Sequence, residues 1–147
     1  MKGQVSTELL IIVGLVLLIF IPVLVLVYLK ANDATQQVAS YQAELAVFRL
    51  AYLANSVGSL GTNSSTFTDV YVPKDVQFFG ATPEGNGGTV EMKINTPQGE
   101  NDITEIVRYP VDTVTLADNT TAGSWIRVRV ASEYDNGQAK ITIEKVK

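Results

Sequence analysis

The 147-residue sequence contains no cysteine and no histidine. Disulfides are therefore excluded, and with them any Cys/His zinc or iron–sulfur site. The lack of cysteine does not fix a redox compartment, since an extracellular chain can do without it. Positive charge is also scarce. Eleven Lys and Arg against fifteen Asp and Glu leave a net charge of -4, which argues against a nucleic-acid partner, because phosphates call for a basic face. No histidine, cysteine or serine nucleophile constellation in the chain offers a catalytic site. The sequence gives no reason to expect an enzyme, a metal or a cofactor.

Charge is missing altogether from one stretch. Leu9–Leu29 reads LLIIVGLVLLIFIPVLVLVYL, and as a helix rising about 1.5 Å per residue it spans roughly 30 Å, the thickness of a bilayer core. A cleaved secretory signal would have a shorter apolar region followed by small residues of the A-x-A type. Here the run continues through Tyr28 and Leu29 to Lys30 without such a site. A membrane anchor is the simplest reading, but Glu8 stands at the edge of the run, where a carboxylate facing lipid is costly and calls for a partner.

The helical pattern does not end with the apolar run. After polar Asn32 and Asp33 it resumes in QQVASYQAELAVFRLAYLANSVGSLG, with Val38, Tyr41, Leu45, Phe48 and Tyr52 three or four apart. This stripe is expected to pack on the chain's own downstream domain. Glycines 58 and 61 provide a stop, giving a helix of about 50–55 residues, or roughly 80 Å. Gly14 and Pro22 inside it mark expected kinks or loosened turns.

The first residues, MKGQVSTELLIIVG, decide among kinds of anchor. They resemble the class III signal sequence of archaeal type IV pilins: a short basic leader, a glycine, then Q-x-S-x-E and an apolar run. Lys2 matches the basic leader, Gly3 its last residue, and Gln4, Ser6 and Glu8 the motif. The resemblance implies a leader of residues 1–3, a helix of residues 4–60 and a headgroup of residues 61–147. It also implies cleavage between Gly3 and Gln4 by a prepilin peptidase, membrane insertion of the precursor, and polymerisation of copies by pilus assembly machinery into an extracellular, adhesive filament. In that family the glutamate at the position of Glu8 meets the N-terminal amine of a neighbouring subunit. The residue-level alternatives are a first-turn acid favouring the helix dipole for Glu8 and, for Ser6, an N-cap instead of peptidase recognition. Archaellins share the plan but generally lack Q-x-S-x-E. A minor, filament-priming pilin, or a surface-binding domain on an uncleaved anchor, are the other readings.

From about Thr66 the pattern changes to short alternating segments: FTDVYV, DVQFFGA, TVEMKIN, ITEIVRY, VDTVTLA, WIRVRVAS and AKITIEKV. Period-two alternation with one apolar face implies antiparallel strands over a core. Six or seven of them predict a β-sandwich-like headgroup, for an α+β chain with a long N-terminal helix, half hydrophobic and half amphipathic.

Two N-glycosylation patterns fall in polar, loop-like contexts, Asn63-Ser64-Ser65 and Asn119-Thr120-Thr121; the alternative is simply exposed turn residues. The segments Glu84-Gly-Asn-Gly-Gly and Glu133-Tyr-Asp-Asn-Gly lack the P-loop lysine and the EF-hand spacing. Both are expected to be hairpin turns, Asn-Gly favouring type I′ geometry. Trp125 and the tyrosines are expected in the core or at its rim.

Overall fold

The structure, a computed structural model, describes residues 2–96, 99–135 and 137–146, with side chains from Thr7 onward. One helix, α1 (Lys2–Leu60), is followed by seven strands: β1 (Ser64–Val72), β2 (Val76–Glu84), β3 (Gly87–Thr96), β4 (Gly99–Val107), β5 (Val114–Asp118), β6 (Ser124–Asp135) and β7 (Gln138–Val146). The chain divides into two compact units, Met1–Gln37 and Val38–Lys147. The first holds the apolar part of α1. The second holds the rest of α1 and every strand, so the helix contributes to the headgroup core.

α1 is continuous through Gly14, Pro22, Asn32 and Asp33. Pro22 removes one amide donor, but the flanking leucines, valines and isoleucines carry the helix across it. The stop comes where the glycines place it. Gly61 adopts a left-handed φ of +92°, and its N–H donates to the Gly58 carbonyl at 3.3 Å, closing the last turn. Gly58 also lets the Tyr109 ring lie against the helix, in space that a Cβ would occupy.

The strands form two antiparallel sheets, β1-β6-β7 and β4-β3-β2-β5. Their inner faces supply one hydrophobic core: Val70, Val128 and Ile141 from the first sheet, Phe79, Val90, Met92 and Leu116 from the second. The residues that join the sheets precede β5. The Ile141 N–H donates to the Pro110 carbonyl at 2.8 Å, and Val111 forms an isolated parallel bridge with Ile141. The fold is α+β, with a sandwich-like headgroup as the alternation implied.

Two local features follow from glycine. Between Phe79 and Gly80 the pairing of β2 with β5 shifts, Phe79 opposing Ala117 and Gly80 opposing Thr115. Leu116 is the extra residue of this bulge, and it is buried. A Cβ on Gly80 would run into the Val114 carbonyl oxygen, so glycine permits the approach. The β2–β3 hairpin closes with two residues, Gly85 and Asn86, between paired Glu84 and Gly87. Only Gly85 of these has a positive φ, +57°. That matches a type II′ turn, which needs glycine first, and corrects the expected type I′, which needs positive φ at both positions. The Glu133–Gly137 segment likewise closes the β6–β7 hairpin between Asp135 and Gln138; Asn136 lies outside the described residues.

The helix contributes to the headgroup through a different face from the expected one. Val38, Tyr41, Leu45, Phe48 and Tyr52 are 53–69% exposed. The buried face is Ala43, Ala46, Val47, Leu50, Ala51, Ala54 and Val57, of which Ala43, Val47, Leu50 and Ala54 are fully buried. At 3.6 residues per turn the two stripes lie on opposite sides of the helix. Close packing explains the choice: alanine and valine let the helix backbone approach the sheets, whereas Tyr41, Phe48 and Tyr52 would hold it away.

Asn55 fixes the helix to a sheet edge. Its Nδ2 donates to the Ile106 carbonyl at 3.1 Å, and its Oδ1 accepts from the Arg108 N–H at 2.9 Å. One side-chain amide thus meets both backbone groups that a neighbouring strand would meet at the free edge of β4. Asn55→Ala is expected to destabilise the headgroup by about 1 kcal/mol. Hydrogen exchange should show the loss concentrated at the Arg108 amide, and unchanged protection there would refute the role.

Candidate functional site

The apolar part of α1 is exposed. Every large hydrophobic residue from Leu9 to Leu29 is between 47% and 74% exposed. The helix is long and apolar enough to cross a membrane. Leucine, isoleucine and valine cover all sides of it, so it is suited to burial all round and not on one face.

Glu8 stands one residue before this surface, exposed, with no ion-pair partner among the described residues. The side chains of Lys2, Gln4 and Ser6 lie outside the described residues; the backbone of these residues and of Gly3 belongs to the first turns of α1. At the other end of the apolar run Lys30 reaches Asp33 at 3.9 Å, an exposed pair that adds little stability.

Further along α1 the exposed stripe forms a ridge. Phe48 and Tyr52 stack with ring centroids 6.4 Å apart, the usual i,i+4 arrangement. A cleft lies on each side. One, of about 430 Å³, is bounded by Leu45 and Arg49 of α1, Asp69 and Tyr71 of β1, and Trp125 of β6. The other, of about 290 Å³, is bounded by Tyr41, Glu44, Leu45 and Phe48 of α1 and Glu105 of β4. Leu45 is the crest shared by both.

The floor of the first cleft continues across the outer face of its sheet. The register sets Tyr71 opposite Trp125, Asp69 opposite Arg127 and Phe67 opposite Arg129. The Tyr71 and Trp125 ring centroids are 5.4 Å apart at a tilt of 58°, a tilted aromatic contact within the range of favourable pairs. Trp125 is 69% exposed, which makes it a surface aromatic and not a core one. Arg127 grips Asp69 with two hydrogen bonds, Nε to Oδ1 at 2.8 Å and Nη2 to Oδ2 at 3.1 Å. The Arg127 bond, assisted by the charges of Arg127 and Arg49, holds the Asp69 carboxyl below the usual carboxylate range.

Both glycosylation patterns present an exposed asparagine. Asn63 has a left-handed φ of +66° and donates its N–H to the Ser132 carbonyl at 2.8 Å, at the entry to β1. Asn119 sits in the β5–β6 turn that Asp118 staples. The Asp118 carboxylate accepts from the Thr120 N–H at 3.0 Å, the Thr120 hydroxyl at 2.6 Å and the Thr121 hydroxyl at 3.2 Å. These bonds, Thr120's above all, hold its carboxyl below the usual range.

Sequence reasoning overlooked Asn55, Arg49, Glu44 and Glu105. The signal for the buried face was present as Ala43, Ala46, Leu50, Ala54 and Val57 at helical spacing. Larger, more hydrophobic neighbours outweighed it. No protein-family model matches the chain, and no curated protein or solved structure matches it either.

Proposed function

We propose that this chain is the subunit of an archaeal type IV pilus, made as a membrane-inserted precursor, cut between Gly3 and Gln4, and polymerised through α1 into an extracellular, adhesive filament. The observation that carries the reading is a helix apolar and exposed on every side over Leu9–Leu29, preceded directly by Gln4, Ser6 and Glu8. Such a surface has a use in lipid before assembly and against copies of itself afterwards. The headgroup then stays in water, where Asn63 and Asn119 are open to glycan attachment. The partners of this reading are the prepilin peptidase, the assembly machinery and other copies of the chain.

Glu8 acquires its task on assembly. Once the apolar surface is buried, an unpaired carboxylate at its edge is costly. The α-amine freed on Gln4 of a neighbouring copy is a partner of opposite charge, and pairing sets the axial register because misplaced copies leave both charges unmatched. Glu8→Ala is expected to be cut normally yet to yield at least about tenfold fewer filaments, since breaking a buried pair costs several kcal/mol. Undiminished filament yield would reduce Glu8 to a helix-dipole residue.

The direct test is the mass of the chain in sheared surface filaments. A chain beginning at Gln4, with or without cyclisation to pyroglutamate, is the expected result. A chain beginning at Met1 and confined to membranes would instead indicate an anchored surface domain.

A further inference from the structure

The two clefts beside the ridge carry opposite charges. In the first, Arg127 neutralises Asp69, and Arg49 has no ion-pair partner among the described residues. In the second, Glu44 and Glu105 are both exposed and likewise lack an ion-pair partner among the described residues. Each cleft also has an aromatic wall, Tyr71 and Trp125 on the basic side, Tyr41 and Phe48 on the acidic side. Apolar area of this kind with a charged rim marks an interaction surface.

We infer that the two clefts are the halves of one contact between copies of the chain: the Glu44/Glu105 flank of one headgroup seats against the Arg49 flank of the next. This rests on the filament reading above and adds to it a second interface, at the level of the headgroup. A second copy is the occupant because the chain itself supplies both complementary surfaces. An antiparallel two-fold pairing of ridges would set Glu44 and Glu105 against their own copies, and like charges repel. Opposite flanks meet when helices run the same way, as they do in a polymer built through α1. Because the two surfaces differ, each copy keeps one flank free after the first contact, and along the helical polymer of the filament reading the contact repeats without closing.

The absence of native cysteine makes this testable without background. Phe67 and Ile106 are 60% and 72% exposed and line neither cleft; Phe67 lies two residues before Asp69 on the same face of β1, and Ile106 follows Glu105 at the free edge of β4, on the other face of the strand. Full-length Phe67→Cys/Ile106→Cys subunits, assembled in cells and sheared off, are treated with a short bis-maleimide. The expected result is a ladder of dimers, trimers and longer products, with each single variant staying monomeric. Products that stop at dimers, or single variants that crosslink, would overturn the open-ended contact. So would an uncrosslinked double variant recovered in normal filaments. Independently, Arg49→Glu is expected to lower filament yield about tenfold, and adding Glu44→Arg and Glu105→Arg to restore it; normal yield from Arg49→Glu alone, or no restoration, would count against the charge pairing. If the unaltered chain starts at Met1 and never enters filaments, it is the pilin reading that fails.

Discussion

A Gly3→Val chain is expected to remain at its precursor mass and to be absent from the filament fraction, while still extracting from membranes with detergent. Two physical effects lead to this outcome. The first is steric: a protease that must pass the backbone on both sides of the scissile bond meets no side chain at glycine, and meets a β-branched one at valine. The second concerns the helix. α1 already includes Lys2, so the bond between Gly3 and Gln4 lies in its first turn and must leave helical geometry to be cut. The first four amides of a helix have no intrahelical partner, and glycine is less favourable there than alanine by about 1 kcal/mol, so unwinding as far as Gln4 is cheap. Valine restores part of that propensity and adds the obstruction. The readout is the intact mass of the chain in membrane and filament fractions. Normal cutting of the Gly3→Val chain would remove the cleavage assignment and, with it, the origin of the amine proposed to meet Glu8.

How far the sequence reveals the fold differs between its two halves, for physical reasons. The apolar run needs no tertiary information, since twenty-one uncharged residues are unambiguous. The strands are nearly as plain: Val90, Met92 and Ile94 alternate with Glu91 and Lys93, and the structure buries the first three at 2% exposure or less. The turns with Gly85 and Gly137 are legible because positive φ favours glycine. What could not be read is which of two apolar stripes on residues 38–57 faces inward. Hydrophobicity alone favours Tyr41, Leu45, Phe48 and Tyr52. The deciding quantity is how closely the helix axis approaches two sheets, a property of residues far away in sequence. The strand order β4-β3-β2-β5, the Leu116 bulge and the Asn55 bonds to β4 are hidden for the same reason: each is a pairing over long sequence separation. Glu8 and the residues before it were legible only as a motif, and the chemistry proposed for them belongs to an assembly and not to one chain.

The two stripes can be separated by a pair of truncations two residues apart. Leu50→Ala is expected to destabilise the headgroup by about 2–5 kcal/mol, because it removes a fully buried side chain and leaves a cavity between helix and sheets that backbone relaxation fills only in part. Tyr52→Ala removes a larger side chain, yet one 63% exposed, and is expected to change stability by no more than about 0.5 kcal/mol. The measurement is thermal or denaturant unfolding of the full-length chain in detergent, followed by near-ultraviolet circular dichroism, which reports packing around the aromatic residues. The ordering matters more than either value: a stripe chosen by hydrophobicity alone would make Tyr52→Ala the damaging change. In the proposed filament the ranking should invert. Tyr52, which stacks on Phe48 at the ridge, costs the isolated subunit little but removes area that neighbouring copies would bury, so Tyr52→Ala should fold normally and assemble poorly. Large destabilisation by Tyr52→Ala with little from Leu50→Ala would reverse the assignment of faces. A Tyr52→Ala chain that both folds and assembles normally would leave the ridge as bare surface, and the contact between headgroups would then have to rest on the charged flanks alone.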